Sequence, residues 1–577
     1  MPKIRRVLLA GVLCLPVLIS AQLPPTQTAA IQVHVHVGHP TTPYTPIWNY
    51  FGADEPNYLY AANGKKLLGE LAALSPVPVH FRPHNLLTSG DGEGSLKWGS
   101  TNVYTERPDG TPVYNFTITD RIFDALLNAH VRPLVEIGFM PKALSTHPEP
   151  YRHSFPKSDI FTGWSYPPND EAKWSKLVLA YASHLRERYG SQTSTWLWEV
   201  WNEPDISYWR GTPDQYDRLY DLTAAAIRKA LPGAKIGGPE ATGVSDHSEP
   251  FLRQFLEHCA HGKNAATGKV GAPLDFISYH PKGKPEFVDD RASASADNSV
   301  SQGHVVMSMG TQLRAVERGM KVIAAYPEWK HTPIILGESD PEGCGACLNP
   351  RNGYRNRPLY GASVTEATMR TYELARKYGL QVEGAVTWAF EFENEPAFAG
   401  FRALATDGID KPVLNAFRLM GMLGRGAPCE TRSCGTWIAT ESTGALPLNQ
   451  VVANSIHGAP DVNAVATRNG REVDVLLWNY HDADLEAPAA QVLLDVDGLD
   501  NASVEAEFRM DALHSNAFHA WQQMGSPAHP GAEQIEQLQK AGALEQTVAD
   551  HRVTVHNGKV NLRLSIPRQG VLLVRFR

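Results

Sequence analysis

The chain has 577 residues, 42% of them hydrophobic and 20% charged, with 53 Lys and Arg against 61 Asp and Glu for a net charge of −8 at pH 7. A single hydrophobic core stops growing near ~250 to 300 residues, so a chain of this length divides into more than one unit. Mild acidity without a basic stripe argues against nucleic acid or an anionic membrane as partner.

At the N-terminus, Lys3, Arg5 and Arg6 precede an apolar stretch from Val7 to Ile19, and Ser20-Ala21 supplies small residues for cleavage. This is the layout of an export signal over residues 1–21. Its apolar stretch falls short of the ~20 residues that span a bilayer. The expectation is a secreted or periplasmic protein, off the membrane once the signal is removed. Residues 22–44 form a Pro/Thr-rich leader containing one alternating strand, Ile31 to Val37, a candidate to join a sheet further on.

Residues 45–428 alternate apolar strands with amphipathic helices, such as Tyr216 to Leu231 before Pro232-Gly233. That alternation is the sequence form of a parallel α/β architecture. The texture changes over residues 429–577, where alternating runs flank Asn469-Gly470 and Asn557-Gly558. Asn-Gly between strand patterns signals a hairpin. The expected fold is a (β/α)8 TIM barrel followed by a C-terminal β-sandwich, with His514 to Leu544 as a helical or irregular insertion.

Cysteines suit an oxidising compartment. Cys344 with Cys347, and Cys429 with Cys434, are spaced to close small loops, while Cys259 reads as a buried free thiol. A zinc site needs four ligands and a lone Cys-x-x-Cys supplies two, so no metal site is assigned.

The run Trp196-Leu197-Trp198-Glu199-Val200 closes on Trp201-Asn202-Glu203-Pro204. An ionisable residue ending a barrel strand faces the mouth where catalysis occurs, and Pro204 stops the ladder because it lacks an N–H. A second apolar run, Ile334-Ile335-Leu336-Gly337, closes on Glu338. The intervening sequence holds about three βα units of ~30 or more residues each, placing Glu203 after strand four and Glu338 after strand seven. Paired carboxylates across a barrel mouth suit glycoside hydrolysis, and their separation sets the stereochemistry. Asp340 and Glu342 lie nearby, but they follow the apolar run within a Pro/Gly-rich loop.

With these residues in hand, the chain resembles glycoside hydrolase family 39, which holds β-xylosidases and α-L-iduronidases. The resemblance runs in order through Phe81-Arg82-Pro83-His84-Asn85, Val131 to Pro141, Glu199 to Pro204, Gly237-Gly238-Pro239, Asp275 to His280, Glu338 and Asp407 to Pro412. It implies a retaining double displacement without a cofactor, with Glu203 as general acid/base and Glu338 as nucleophile. It also implies that Asn202 donates to the sugar 2-hydroxyl, that Arg82, His84, Tyr279 and His280 line the pocket, and that Trp388 forms its aromatic floor. Around the last strand the acidic spacing departs from the family, leaving Glu393 and Glu395 both as acceptors for sugar hydroxyls. The substrate class implied is an oligosaccharide or glycoside, foremost xylo-oligosaccharides cut at their non-reducing ends. Arabinosides, uronides and exopolysaccharides are the alternatives within the family.

Two readings of other classes stand beside this one. His34 and His36 share one face of a strand, since side chains two apart point the same way, and a His-x-His on a first barrel strand would open a metal-dependent amidohydrolase. Here the pair precedes the strand expected to open the barrel. A retired barrel that only binds sugar is the other, and the presence of both carboxylates argues against it.

Overall fold

The computed structural model describes residues 30–152, 155, 162–289, 303–429, 432–499 and 504–577. The expected signal segment, residues 1–21, and the start of the leader lie outside the described residues. Among the described residues no helix is long and apolar enough to cross a membrane.

Eight parallel strands close into a barrel: Tyr50–Ala53, His80–Pro83, Arg132–Ile137, Leu197–Val200, Lys235–Ala241, Phe276–Tyr279, Ile334–Leu336 and Val382–Trp388. A helix follows each strand before the next begins, from Ala62–Ala73 after the first to Pro412–Met420 after the eighth. Local chemistry sets the helix limits. Pro213–Ala230, for example, starts earlier than its apolar pattern because Thr212 and Gln215 form a capping box and Pro213 occupies the first turn.

Strand alternation divides side chains between the barrel interior and the helix layer. Phe51, Phe81, Val135, Trp198, Ile236 and Ile277 pack outward into the main core, whereas Tyr50, Leu134, Phe276, Ile335 and Val386 fill the barrel floor. Above that floor the same inward-facing rows change from apolar to charged, with Arg82, Glu136, Glu199 and Glu240 all fully buried. Gly52 and Gly337 make room for this layer. A Cβ at Gly52 would lie 2.3 Å from the Trp388 ring, and one at Gly337 would lie 1.7 Å from the Glu240 carboxylate.

The C-terminal unit is a nine-stranded sheet curled on itself over a second apolar core that includes Val35, Val475, Leu494, Leu564 and Val574. Strand Ile31–Pro43 lies inside this sheet, antiparallel to Thr436–Ser442 and parallel to Ala490–Asp497. His34 and His36 therefore sit on the curled sheet, beside Asp495 at 3.4 Å and Asp497 at 2.8 Å, and not in the barrel mouth where the amidohydrolase reading needs them.

Asn469-Gly470 joins two paired strands. Asn557-Gly558 also makes a turn, with φ of 54° and 75°, and closes an antiparallel bridge between His556 and Lys559, but the expected hairpin extends no further. The strand before it, Glu545–Arg552, pairs with Val504–Met510 at one end of the sheet, while the strand after it, Lys559–Ile566, pairs with Ala490–Asp497 at the other. Burial of Val560, Leu564 and Ile566 in the second core decides the partner over the turn.

The insertion forms helices Ala517–Gln523 and Ala532–Gly542, which reach back to the loop after the eighth barrel strand. There Phe398 packs against Phe518 and Trp521 at 5.5 and 5.2 Å. Disulfides join Cys344 to Cys347 and Cys429 to Cys434, and Cys259 is a buried free thiol.

Candidate active site

The fourth barrel strand ends in a tight twist. Trp201 and Glu203 both take left-handed backbone angles, φ 70° and 46°, on either side of Asn202. Such angles cost ~1 to 3 kcal/mol each in residues with a Cβ and persist only where the surroundings fix them. Here the Glu203 N–H donates to the Glu240 carbonyl at 2.9 Å, and the Trp201 indole donates to the Tyr208 carbonyl at 3.0 Å. The twist brings Glu203 over the mouth, where one oxygen of Glu203, one of Glu338 and a ring nitrogen of His280 lie within 4.8 Å of one another.

Beneath them Arg82 donates to Glu199 through Nε and approaches Glu136 at 3.1 Å. It also donates to Asn202 Oδ1 at 3.1 Å. A guanidinium can only donate, so the Asn202 amide must turn its oxygen to Arg82, which leaves its NH2 for other partners. Burial pushes Glu199 well above the usual carboxylate range against the pull of Arg82, while Glu240, equally buried, is held below that range by Arg82, Glu199 and His280.

His280 bridges the acidic groups, with Nδ1 2.9 Å from Glu203 and Nε2 2.6 Å from Glu240. Burial alone would discharge it, but Glu338, Glu203 and Glu240 outweigh burial and push it up to about 9. Glu338 shows the converse. Burial would raise it, yet the charges of Lys282, His280, His84 and Arg82 hold it well below the usual carboxylate range. Lys282 contacts Glu338 Oε2 at 2.5 Å and Asp340 at 2.7 Å.

On the opposite wall, His84 lies 2.9 Å from both Asp54 and Glu136, and Asp54 also pairs with the partly buried Lys97 at 2.9 Å. Trp388 packs 4.1 Å from the His84 ring, with the Arg82 guanidinium 5.1 Å from its centroid. Phe139, Trp164 and Tyr208 extend the aromatic surface with ring separations of 4.6 to 5.7 Å. The result is a fixed anion with a second carboxylate close by, hydrogen-bond groups between them and aromatic rings beside them, an arrangement that can transfer protons to a bound sugar.

The structure brings Asn202, Glu203, His84, His280, Glu338 and Trp388 together. Arg82 lies below the mouth with its donors engaged by protein groups, so its reach is to side chains rather than to a ligand. Tyr279 points the other way: its hydroxyl donates to the Val316 carbonyl at 2.9 Å and its ring abuts Gly319 of the following helix. Adjacent strand residues face opposite sides, so Tyr279 and His280 cannot both line the pocket.

Glu393 accepts from Asn63 and the Gly64 N–H at the start of helix Ala62–Ala73, which draws it to that helix end. Glu395 lies near Tyr58. Asp340 is bound by Lys282, Arg402 and the Trp388 N–H, and Glu342 by Arg355, Arg402 and Tyr354, so both carboxylates are spoken for.

Sequence reasoning missed Asp54, Lys97, Glu136, Glu240 and Lys282. Glu136 was detectable as a charge within an apolar strand, Leu134-Val135-Glu136-Ile137. Glu240 hides behind an irregularity in pairing between Pro239 and Ala241, and the two lysines stand in loops where no periodicity marks them.

A closed (β/α)8 barrel with two carboxylates meeting at the ends of strands four and seven is the architecture of a glycoside hydrolase. Residues 94–561 match the model for glycosyl hydrolases family 39, and the chain belongs to that family. By sequence it is 26% identical over 488 residues to a β-xylosidase of Caldicellulosiruptor saccharolyticus, covering 82% of this chain and 86% of that one. It is also 26% identical over 572 residues to an α-L-iduronidase of Mus musculus, covering 94% and 80%. In fold it resembles a monomeric β-xylosidase from Caulobacter crescentus, with TM-score 0.72, 20% identity and coverage of 95% and 99%. A family 39 enzyme from Xanthomonas axonopodis pv. citri gives TM-score 0.71, 21% identity and coverage of 96% and 100%.

Proposed function

We propose that this glycoside hydrolase is an exported β-xylosidase that retains anomeric configuration and releases xylose from the non-reducing ends of xylo-oligosaccharides. The observation that carries the mechanism is the approach of Glu203 and Glu338 to within 4.8 Å. Retaining enzymes hold their carboxyl groups ~5 to 5.5 Å apart, whereas inverting ones leave ~6.5 to 9.5 Å for a water. Xylose is favoured by the β-xylosidases among the relatives.

In the first step Glu338 attacks the anomeric carbon while Glu203 protonates the departing oxygen. Neutralising Glu338 then removes a negative charge from the Glu203 neighbourhood, and Glu203 takes a proton from the water that opens the glycosyl ester. The charged His280 spans both roles through its contact with Glu203 and its proximity to Glu338, 3.8 Å away. Asn202, held by Arg82, offers its NH2 to the sugar 2-hydroxyl.

Glu338→Ala should abolish turnover of nitrophenyl β-xyloside, and Glu203→Ala should regain part of its rate with azide as external nucleophile. Full activity in Glu338→Ala would overturn the reading. A uronide is the second reading, favoured by the α-L-iduronidases among the relatives. Cleavage of an aryl uronide with no cleavage of the xyloside would select it.

A further inference from the structure

Glu338 presents its two oxygens to different surroundings. Oε2 is 2.5 Å from Lys282 Nζ. Oε1 has Arg82 Nη1 at 3.7 Å, His280 Nδ1 at 3.8 Å and His84 Nε2 at 3.9 Å, all beyond hydrogen-bond reach. One oxygen is therefore clamped and the other is not.

The clamp is itself anchored. Lys282 Nζ also meets Asp340 Oδ2 at 2.7 Å, while Asp340 Oδ1 accepts from the Trp388 N–H at 3.0 Å and Arg402 stands 3.3 Å from Oδ2. The backbones of residues 282 and 340 form a parallel bridge, and the Gly283 N–H donates to the Asp340 carbonyl at 3.0 Å. That closeness requires Gly283, since a Cβ there would lie 2.5 Å from the Pro341 carbonyl oxygen. Lys282 is thus set into the loop that follows Glu338.

We infer that Lys282 is a positioning residue that fixes Oε2 of Glu338 and so assigns Oε1 to the bond with the anomeric carbon. The inference rests on Glu338 being the nucleophile. In the first step the bond from Oε1 to the anomeric carbon forms, the bond from that carbon to the leaving oxygen breaks, and the leaving oxygen takes the Glu203 proton. Oε2 becomes the ester carbonyl and still accepts from Lys282. In the second step water bonds to the anomeric carbon and gives its proton to Glu203, and the electron pair of the carbon–Oε1 bond returns to Glu338. The returning charge appears against the ammonium, so Lys282 makes the carboxylate a better leaving group as well as keeping it ionised beforehand.

Other charged groups also face Glu338. Arg82 and His84 come from the second strand, Lys97 from the loop after it, Glu203 from the fourth strand, His280 from the sixth and Asp340 from its own loop. Removing Lys282 leaves them in place, so the pH dependence it controls can be read alone.

The test uses the full-length protein and dinitrophenyl β-xyloside, whose leaving group makes the first step fast. In Lys282→Met the acid limb of kcat/KM should move up by about one pH unit or more. Its kcat should fall by at least ~10-fold, with KM falling too and a burst of dinitrophenolate as glycosyl-enzyme accumulates. Lys282→Arg should restore the acid limb. If circular dichroism shows Lys282→Met unfolded, Lys282→Gln is read by the same criteria. An unmoved acid limb in a folded variant, or equal losses in the Met and Arg variants without a burst, would overturn the inference. Those outcomes leave the retaining reading intact provided Glu338→Ala is inactive; activity in Glu338→Ala would remove the reading itself.

Discussion

The barrel mouth and the seam between barrel and curled sheet each hold one buried arginine ringed by carboxylates, four around Arg82 and three around Arg370. In the mouth Arg82 serves Glu136, Glu199, Glu240 and Glu338. At the seam Arg370 pairs with Glu366 at 2.7 Å, Glu373 at 2.9 Å and Asp461 at 2.5 Å, while Trp478 donates to Glu366. The two clusters differ in what lies above them. At the seam protein covers Glu366 and Asp461, Glu373 stays partly exposed, and the Leu446 carbonyl also accepts from Arg370. The mouth cluster instead supports Asn202, His280 and Glu338 at the ends of the barrel strands. A buried arginine among carboxylates therefore serves adhesion in one place and preorganisation in the other.

Deleting each arginine breaks the comparison most forcibly. Arg82→Met and Arg370→Met should each cost about 3 to 5 kcal/mol, because each strands buried carboxylates, and denaturant unfolding would measure both. Only Arg82→Met should also lower kcat per folded molecule, by ~10²-fold or more, as Asn202 and Glu338 lose their support. Equal activity in the two variants would erase the distinction.

A smaller effect separates the clusters by pH. His280 is charged in the folded state up to about 9, and an unfolded histidine titrates near the model value of 6.5. Its contribution is thus fully present below pH ~6.5 and disappears as pH rises through about 9, roughly 3 kcal/mol in all. Thermal unfolding between pH 6 and 10 should show this decline, and His280→Gln should flatten it. The Arg370 cluster holds no imidazole, so Arg370→Met should keep the decline.

The smallest effect concerns a carboxylate outside both clusters. Glu393→Gln removes charge from the start of helix Ala62–Ala73, so it should cost below ~1 kcal/mol and leave KM for the xyloside unchanged. A raised KM would return Glu393 to the list of sugar contacts.

These contrasts explain what the sequence disclosed. The barrel was legible because apolar strands and amphipathic helices alternate for some 380 residues, and the meeting of Glu203 with Glu338 followed from two apolar runs that end in carboxylates. What escaped depends on contacts between distant segments. Lys282 acquires its place through Asp340, 58 residues away, and Glu240 through His280, 40 residues away. Tyr279 was misassigned for a different reason, because grouping it with its neighbour ignored the two-residue period of a strand. The Asn557-Gly558 turn shows that local chemistry can form faithfully while the pairing it suggests is overruled by a core.

Strand Ile31–Pro43 carries a consequence for how the molecule matures. Val33 pairs with Ser442 on one side and Leu494 on the other, so the earliest described strand waits for partners synthesised some 400 residues later. Until they arrive it is an unsatisfied ribbon with two open edges, the kind of surface that recruits neighbouring chains. Completion of the curled sheet is therefore a late event with a long loop to close, and crowding of nascent chains is the hazard that this topology must survive.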